Sequence, residues 1–215
     1  MTKPSAQLKI WKGSFGRKYT DRNNLSFTRL QELYKNRYGI TRQELNSLFL
    51  GKMKRSLSML EVGVNAGNQL ICLKKMGFKN LYGIEPQNYA LGICKKRVKR
   101  INAFRGDAFG IPFKDQAFDL VFTSGVLSHI SPKEIKKAIK EIYRCTRKYI
   151  WGMEGYSPRY AEVLYRGKKS LLWRADFVKL YLSTFSNLKL MEEKKLQYLD
   201  SDNIDTMFLL QKIDK

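Results

Sequence analysis

From residue 57 onward this 215-residue chain repeats one pattern, and that pattern narrows its fold more than any other feature: a short apolar run followed by an amphipathic stretch. LSMLEV (57–62), NLYGIE (80–85), INAFRG (101–106), AFDLVFTS (117–124) and KYIWGME (148–154) read as strands. Each is short, rich in branched or aromatic residues, and set off by turn formers or charged residues. Between them, NQLICLKKMG ending at Gly77, NYALGICKKRVKR and SPKEIKKAIKEIYRCT carry helical spacing. The last has Ser131 placed as N-cap, Pro132 in the first turn and Glu134 at the third helical position. Strands alternating with helices imply a mostly parallel sheet with helices on both faces, because parallel neighbours need a crossover between them.

Before residue 57 the texture is helical. NLSFTRLQELYKNR (24–37) spaces Leu25, Leu30, Leu33 and Tyr34 along one helical face, and Thr41 with Glu44 forms a capping-box pattern. After residue 154 the alternation pauses. GYSPRYAEVLYRGKKSLLW reads as an irregular excursion, followed by a helix at RADFVKLYLSTF and two closing strands at LKLMEE and TMFLLQKI. The chain therefore divides into an N-terminal helical arm or lid (1–56) and an α/β domain (57–215) carrying an excursion at 155–187. No stretch approaches 18 consecutive apolar residues, and the first residues lack the apolar core of a secretory signal. Cys72, Cys94 and Cys145 match no metal or redox spacing and read as buried thiols in a reducing cytoplasm, with no metal site expected.

Ligands of open parallel sheets sit at the carboxyl ends of the strands, and there the sequence concentrates its unusual residues. In SMLEVGVNAGNQL the strand runs into a turn with Gly63, Asn65 and Gly67. A dinucleotide fingerprint needs glycine at 65 and 68, where Asn stands at both, and no G-K-[ST] follows to make a phosphate loop. What remains is a carboxylate, Glu61, beside a glycine turn, which suits a ligand carrying positive charge; S-adenosylmethionine, with its ammonium and sulfonium, is one. Glu85 ends the next strand, placed to accept from ribose hydroxyls. Asp107 follows the third strand, suited to an adenine amino group, and AFDLVFTSGVLSHI ends the fourth in small residues that let backbone approach a ligand.

The set LEVGVNAGNQL, LYGIEP and RGDAFGIPFKDQAFDLVFTSGVLSHI resembles the class I S-adenosylmethionine-dependent methyltransferases over about residues 57–154, with Asn65 in place of the usual middle glycine. The resemblance implies a Rossmann-like, seven-stranded sheet with the cofactor across its strand ends. It brings Glu61, Gly63, Val64, Asn65 and Gly67 to the methionine part, and Glu85 to the ribose with Pro86 beside the adenine. Asp107 and the Ala108 amide fall at the adenine edge, and the Ser124 or Gly125 backbone at the methionine ammonium. WKGSFGRKYTDRN (11–23) and YRGKKSLLWRADF (165–177) are similar to segments of the methylases associated with pseudaminic acid biosynthesis, which extends the resemblance over nearly the whole chain and implies a sugar-like substrate neighbourhood.

For catalysis, His129, the lone histidine, lies just past the fourth strand and is a candidate base for a hydroxyl or protonated-amine acceptor. Tyr19, Arg22 and Asn23 read as a lid over the cofactor, with Tyr19 near the transfer point, or as an arm packed on the sheet. Glu154, Tyr156, Tyr165, Arg166, Arg174 and Asp176 are candidates for the acceptor wall, the two arginines suiting a carboxylate. The leading expectation is a methyltransferase acting on O or N of a small sugar-like or carboxylated metabolite. Forty-one basic against 19 acidic residues, a formal charge of +22, keep a nucleic-acid acceptor, RNA ahead of DNA, as an alternative. A non-catalytic cofactor-binding scaffold is a third.

Overall fold

A computed structural model describes residues 6–213. Four helices come first: α1 (Ala6–Lys12), α2 (Ser14–Asn23), α3 (Phe27–Tyr38) and α4 (Arg42–Leu50). The alternating part follows as β1 (Ser58–Val62), α5 (Asn68–Lys75), β2 (Asn80–Glu85), α6 (Asn88–Arg97), β3 (Asn102–Arg105), β4 (Phe118–Ser124), a single 3₁₀ turn (Leu127–His129), α7 (Ile135–Cys145) and β5 (Thr146–Gly155). The remainder is a short hairpin, β6 (Ala161–Glu162) with β7 (Trp173–Arg174), then α8 (Phe177–Thr184), β8 (Leu188–Gln197) and β9 (Ile204–Lys212).

The main sheet has seven strands in the order β3-β2-β1-β4-β5-β9-β8. The first five are parallel; β9 runs antiparallel to β5, and β8 antiparallel to β9. This is a Rossmann-like sheet flanked by helices, as the alternation required. β1 and β4 sit centrally, and the order reverses between them, so the crevice beyond their carboxyl ends is the natural ligand position.

Both sheet faces are covered, and the strand period sorts the residues between them. Leu60, Val62, Val121 and Ile150 face α7 and α8, which contribute Ile139, Ile142, Phe177 and Tyr181. Met59, Leu120, Phe122 and Trp151 face the opposite way, against Leu45 and Leu50 of α4, Leu70 and Leu73 of α5, and Leu91 of α6. The capping box at α4 forms as its sequence demands: the Thr41 hydroxyl accepts from Glu44 N, and the Glu44 carboxylate accepts from Thr41 N at 2.8 Å.

The start of α7 differs from the sequence expectation. The helix begins at Ile135 with Glu134 at its cap, and Ser131 lies a turn earlier. A tertiary contact from α1 explains the delay: the Gln7 side chain accepts from Ser131 N at 3.1 Å and donates to the His129 carbonyl, holding 129–131 in place. The Ser131 hydroxyl meets the Glu134 carboxylate at 3.2 Å instead of a helical amide. Asp176, placed on an acceptor wall by sequence, instead caps α8 by accepting from Lys179 N at 2.8 Å.

Candidate cofactor and acceptor site

Two cavities meet beyond the ends of β1, β2 and β4. One, of about 140 Å³, is lined by the lid residues Trp11 and Tyr19, by Glu85, Pro86 and Gln87 after β2, and by Asp107, Ala108 and Phe109 after β3. The other, of about 550 Å³, is polar and extends toward α3, the β6–β7 hairpin and the turn between β8 and β9. Tyr19, Gly63, Asn65, Ser124, Gly125 and His129 line both, and so mark the junction.

The β1–α5 turn is built for close approach. Gly63 (φ 77°) and Gly67 (φ 79°) both lie in the left-handed region, and a Cβ on either would press against a side chain, 2.6 Å from Val126 and 2.7 Å from Val98 respectively. Asn65 is also left-handed, at φ 46°. Asparagine is among the few side-chain-bearing residues that take this conformation readily, so it fulfils the backbone role of the missing glycine. It adds one that glycine lacks: its amide donates to the buried Thr20 hydroxyl at 2.9 Å, tying the turn to α2.

Glu85 is the electrostatic centre of the smaller cavity. Its two carboxylate oxygens accept from Asn65 N and Gln87 N, each at 3.0 Å, so it fastens the turns after β1 and β2 to each other. Burial raises its pKa to about 7, against the pull of those two amides. Glu61 is 3% exposed, and its Oε2 has no hydrogen-bond partner among the described residues. Burial pushes it well above the usual carboxylate range, with Arg42 opposing and Glu85 adding to the shift. Gln87 Oε1 and Trp11 Nε1 are likewise buried without partners. These are three of the six such atoms among the described residues, the others being on Gln43, Asn46 and Trp151. Orphaned buried polar atoms are costly, and a polar ligand in the cavities would satisfy those on their walls. Asp107 accepts from Phe109 N at 3.1 Å and lies 3.7 Å from the Lys12 ammonium, a contact from α1 to the turn after β3.

His129 stands at the junction, packed against Trp11, Tyr165 and Tyr19 with ring centroids 4.6, 5.3 and 6.0 Å away. Its Nδ1 lies 2.7 Å from the Leu171 carbonyl. A carbonyl only accepts, so Nδ1 carries the proton and Nε2 keeps its lone pair. Burial lowers the ring's pKa to about 4, which makes it neutral near pH 7. Tyr19 is raised above its ordinary value, chiefly by burial, and remains a phenol.

The wider set of sequence candidates separates in space. Arg22, Asn23, Val64, Tyr165, Arg166 and Arg174 line the larger cavity. Asn23 donates to the Tyr19 carbonyl at 2.8 Å, the i, i+4 contact that a helical segment allows. Glu154 lies on the same wall, but its carboxylate is turned to the chain: it accepts from Val126 N, Ser128 N and the Ser128 hydroxyl, each at 3.0 Å, and so holds the turn bearing His129. Tyr156 lines neither cavity; its ring lies under Lys195, 4.1 Å from the ammonium. Gly67 shapes the turn from behind and does not line a cavity.

Sequence reasoning missed Arg42, which is 2% exposed and reaches the larger cavity. It donates to Gln69 at 2.8 Å, Tyr34 at 2.7 Å, Asn46 at 3.1 Å and Ser124 at 3.2 Å. A signal was present: Arg42 and Asn46 stand at i, i+4 on the same face of α4 as Leu45 and Phe49, where a soluble helix would normally be apolar. Tyr38, Tyr198 and Asp205 were also missed, because the cluster joins α3 to the β8–β9 hairpin across 160 residues or more; Asp205 accepts from the Tyr38 hydroxyl at 2.6 Å and from the Tyr198 hydroxyl at 3.1 Å.

Comparison with known proteins agrees with this geometry. Residues 60–149, from β1 into β5, match the family model described as a methyltransferase domain. An uncharacterized methyltransferase of Staphylococcus carnosus is 35% identical over 82 residues, 38% of each chain. A tRNA (carboxymethyluridine(34)-5-O)-methyltransferase of Xenopus tropicalis is 27% identical over 113 residues, 49% of this chain and 17% of its own. The 1,6-didemethyltoxoflavin-N1-methyltransferase of Burkholderia thailandensis, solved with 1,6-didemethyltoxoflavin and S-adenosylhomocysteine, superposes with a TM-score of 0.70 over 100% of this chain and 94% of its own, at 12% identity. The fold is thus that of the class I S-adenosylmethionine-dependent methyltransferases. The matched region covers 38% of the length of the Staphylococcus relative, well short of two thirds.

Proposed function

We propose that the protein is an S-adenosylmethionine-dependent methyltransferase acting on O or N of a small sugar-like or carboxylated metabolite. The observation that carries the reading is the order of acids along the strand ends. Glu61 is the penultimate residue of β1, Glu85 the last of β2, and Asp107 lies two residues past β3, and Glu61 keeps a buried oxygen with no partner among the described residues. The residues fit the cofactor. Glu85 would receive the ribose hydroxyls, Pro86 would flank the adenine, and Asp107 with the Ala108 amide would read its edge. Gly63, Val64 and Asn65 would border the methionine chain, with Glu61 and the Ser124 and Gly125 carbonyls available to an ammonium; the Gly125 amide already donates to Met153 O at 2.8 Å. Bound there, the cofactor supplies an electrophilic methyl group on sulfur.

The chain's own part is alignment, exclusion of water and proton removal. α1 and α2 close the smaller cavity as a lid, anchored through Asn65–Thr20, Gln87 and Gln7. Leu171 fixes the His129 tautomer and burial keeps the ring neutral, so Nε2 could take the proton of a hydroxyl acceptor as the methyl transfers and that proton becomes strongly acidic. At a pKa of about 4 the ring is too weak a base to ionise a hydroxyl or an ammonium beforehand. Tyr19 would act as a hydrogen-bond donor that orients groups at the junction. The flanking segments at 11–23 and 165–177 support an acceptor of the nonulosonic-acid kind.

The net charge of +22 favours a second reading, RNA as acceptor, and the tRNA-modifying relative is consistent with it. The test is calorimetry with S-adenosylhomocysteine, followed by transfer of a labelled methyl group into a fractionated extract. Saturable binding that Glu85→Ala weakens at least tenfold, with label in small molecules, is the expected result. Absent binding would overturn the enzyme reading, and label in RNA would replace the acceptor.

A further inference from the structure

The larger cavity is lined by five arginines, Arg22, Arg37, Arg42, Arg166 and Arg174. Every ion pair among the described residues lies elsewhere, at Lys12, Arg29, Arg144 and Arg147, so none of the five is within 4 Å of a carboxylate. The three acids on the same walls, Glu61, Glu154 and Asp205, offset the five arginines only in part. Glu154 is turned to backbone amides, Asp205 accepts from two tyrosine hydroxyls, and burial favours the protonated form of Glu61. A cavity of about 550 Å³ with more arginines than acids on its walls favours an anion.

The arginines are not evenly spread. Arg37 stacks on Tyr198, with its guanidinium 5.1 Å from the ring, and its carbonyl accepts from Leu199 N at 2.8 Å. Arg174 donates to Asn203, whose carbonyl accepts from Tyr198 N at 2.9 Å. Both are half-buried, and both are fixed to the β8–β9 turn, from α3 on one side and the β6–β7 hairpin on the other. The junction with the smaller cavity, at Gly63, Ser124 and His129, is formed by other elements. Resting on the methyltransferase reading, we propose that this cavity is an acceptor site with a polarity. Arg37 and Arg174 hold a carboxylate or phosphate of a small acceptor at the β8–β9 end, and the atom to be methylated lies at the His129 end. Planar guanidinium forks held by stacking or by a side-chain acceptor suit such oxyanions, because little freedom is lost on binding.

The test is titration of the S-adenosylhomocysteine complex with inorganic phosphate and, separately, with malonate at constant ionic strength, so that general attraction to the basic surface cancels. The wild type should bind at least one of them saturably. R37Q/R174Q should weaken that binding at least tenfold, and R37K/R174K should weaken it less, while affinity for S-adenosylhomocysteine stays as in wild type. Malonate alone assigns a carboxylate acceptor, and phosphate alone a phosphorylated one. No saturable binding, or equal binding by R37Q/R174Q, overturns the proposal. So does a single-stranded RNA oligonucleotide that displaces the anion and loses affinity in the same variant, because the site would then belong to nucleic acid. Loss of S-adenosylhomocysteine binding by the wild type would instead overturn the methyltransferase reading on which the site rests.

Discussion

Cofactor affinity should depend on pH through Glu85, and its size follows from the environment of that carboxyl. Ribose hydroxyls donate best to an ionised acceptor, yet burial holds Glu85 at a pKa of about 7 in the free protein. At that value roughly nine-tenths of the carboxyls are ionised at pH 8 and roughly one-tenth at pH 6. If the ionised form binds, the affinity for S-adenosylhomocysteine falls about tenfold from pH 8 to pH 6, roughly 1.4 kcal/mol. Binding near pH 7 then releases a fraction of a proton. His129, lowered to about 4, is neutral throughout this range and cannot supply the change. Glu61 can contribute, since it too is raised and lines the adjoining cavity, so the assignment needs Glu85→Gln, which should flatten most of the dependence. Stability has the complementary sign. A raised folded-state pKa means that the native state binds more protons than the unfolded chain between about 4.5 and 7, so the ligand-free protein loses stability as pH rises through 7. Calorimetry in two buffers of different ionisation enthalpy reads the proton release. Affinity that is level from pH 6 to 8, without proton release, would refute the argument.

Two substitutions address the turn and the base. Asn65→Gly keeps a left-handed turn accessible but removes the hydrogen bond to Thr20, so amide exchange in α2 should quicken by about fivefold, corresponding to roughly 1 kcal/mol, while the melting temperature changes little; unchanged exchange would show that the bond does not hold the lid. His129→Ala should lower turnover by about 100-fold or more with a hydroxyl acceptor, at unchanged affinity for S-adenosylhomocysteine, and turnover near wild type would remove it as base.

The sheet was legible because strand and helix periods alternate cleanly from residue 57, where local pattern and tertiary packing agree. The acids at the strand ends were legible for the same reason: Glu61 and Glu85 each directly follow an apolar residue of their strand, and Asp107 comes two residues after β3 ends. Departures from the sequence reading arise where a distant segment decides the local structure. The Gln7 contact delays α7 beyond Ser131, and Glu154 faces inward because the amides of Val126 and Ser128 need acceptors. Composition announced a basic protein, yet only the fold brings Arg37 and Arg174 to the same turn, since they come from segments 137 residues apart in sequence.

Asn65 shows why a departure from a motif can carry more information than a match. Read against the usual glycine pattern it is a missing element, and the sequence alone supports only the exclusion of dinucleotide and phosphate-loop readings. In the fold its backbone takes the left-handed conformation the turn requires, so the pattern is kept at the level that matters for cofactor approach. Backbone and side chain together then join three parts, the side chain supplying two of the three bonds. Asn65 N donates to Glu85, its Oδ1 accepts from Ala66 N at 2.8 Å, and its Nδ2 reaches Thr20 on α2. Glu85, the turn and the helix that carries Tyr19 are thus joined by one chain of hydrogen bonds. Glycine would lose the bond to Thr20 and leave α2 held at this turn by Asn68, which donates to the Asn23 carbonyl at 2.6 Å; asparagine adds a second tie between the turn and α2.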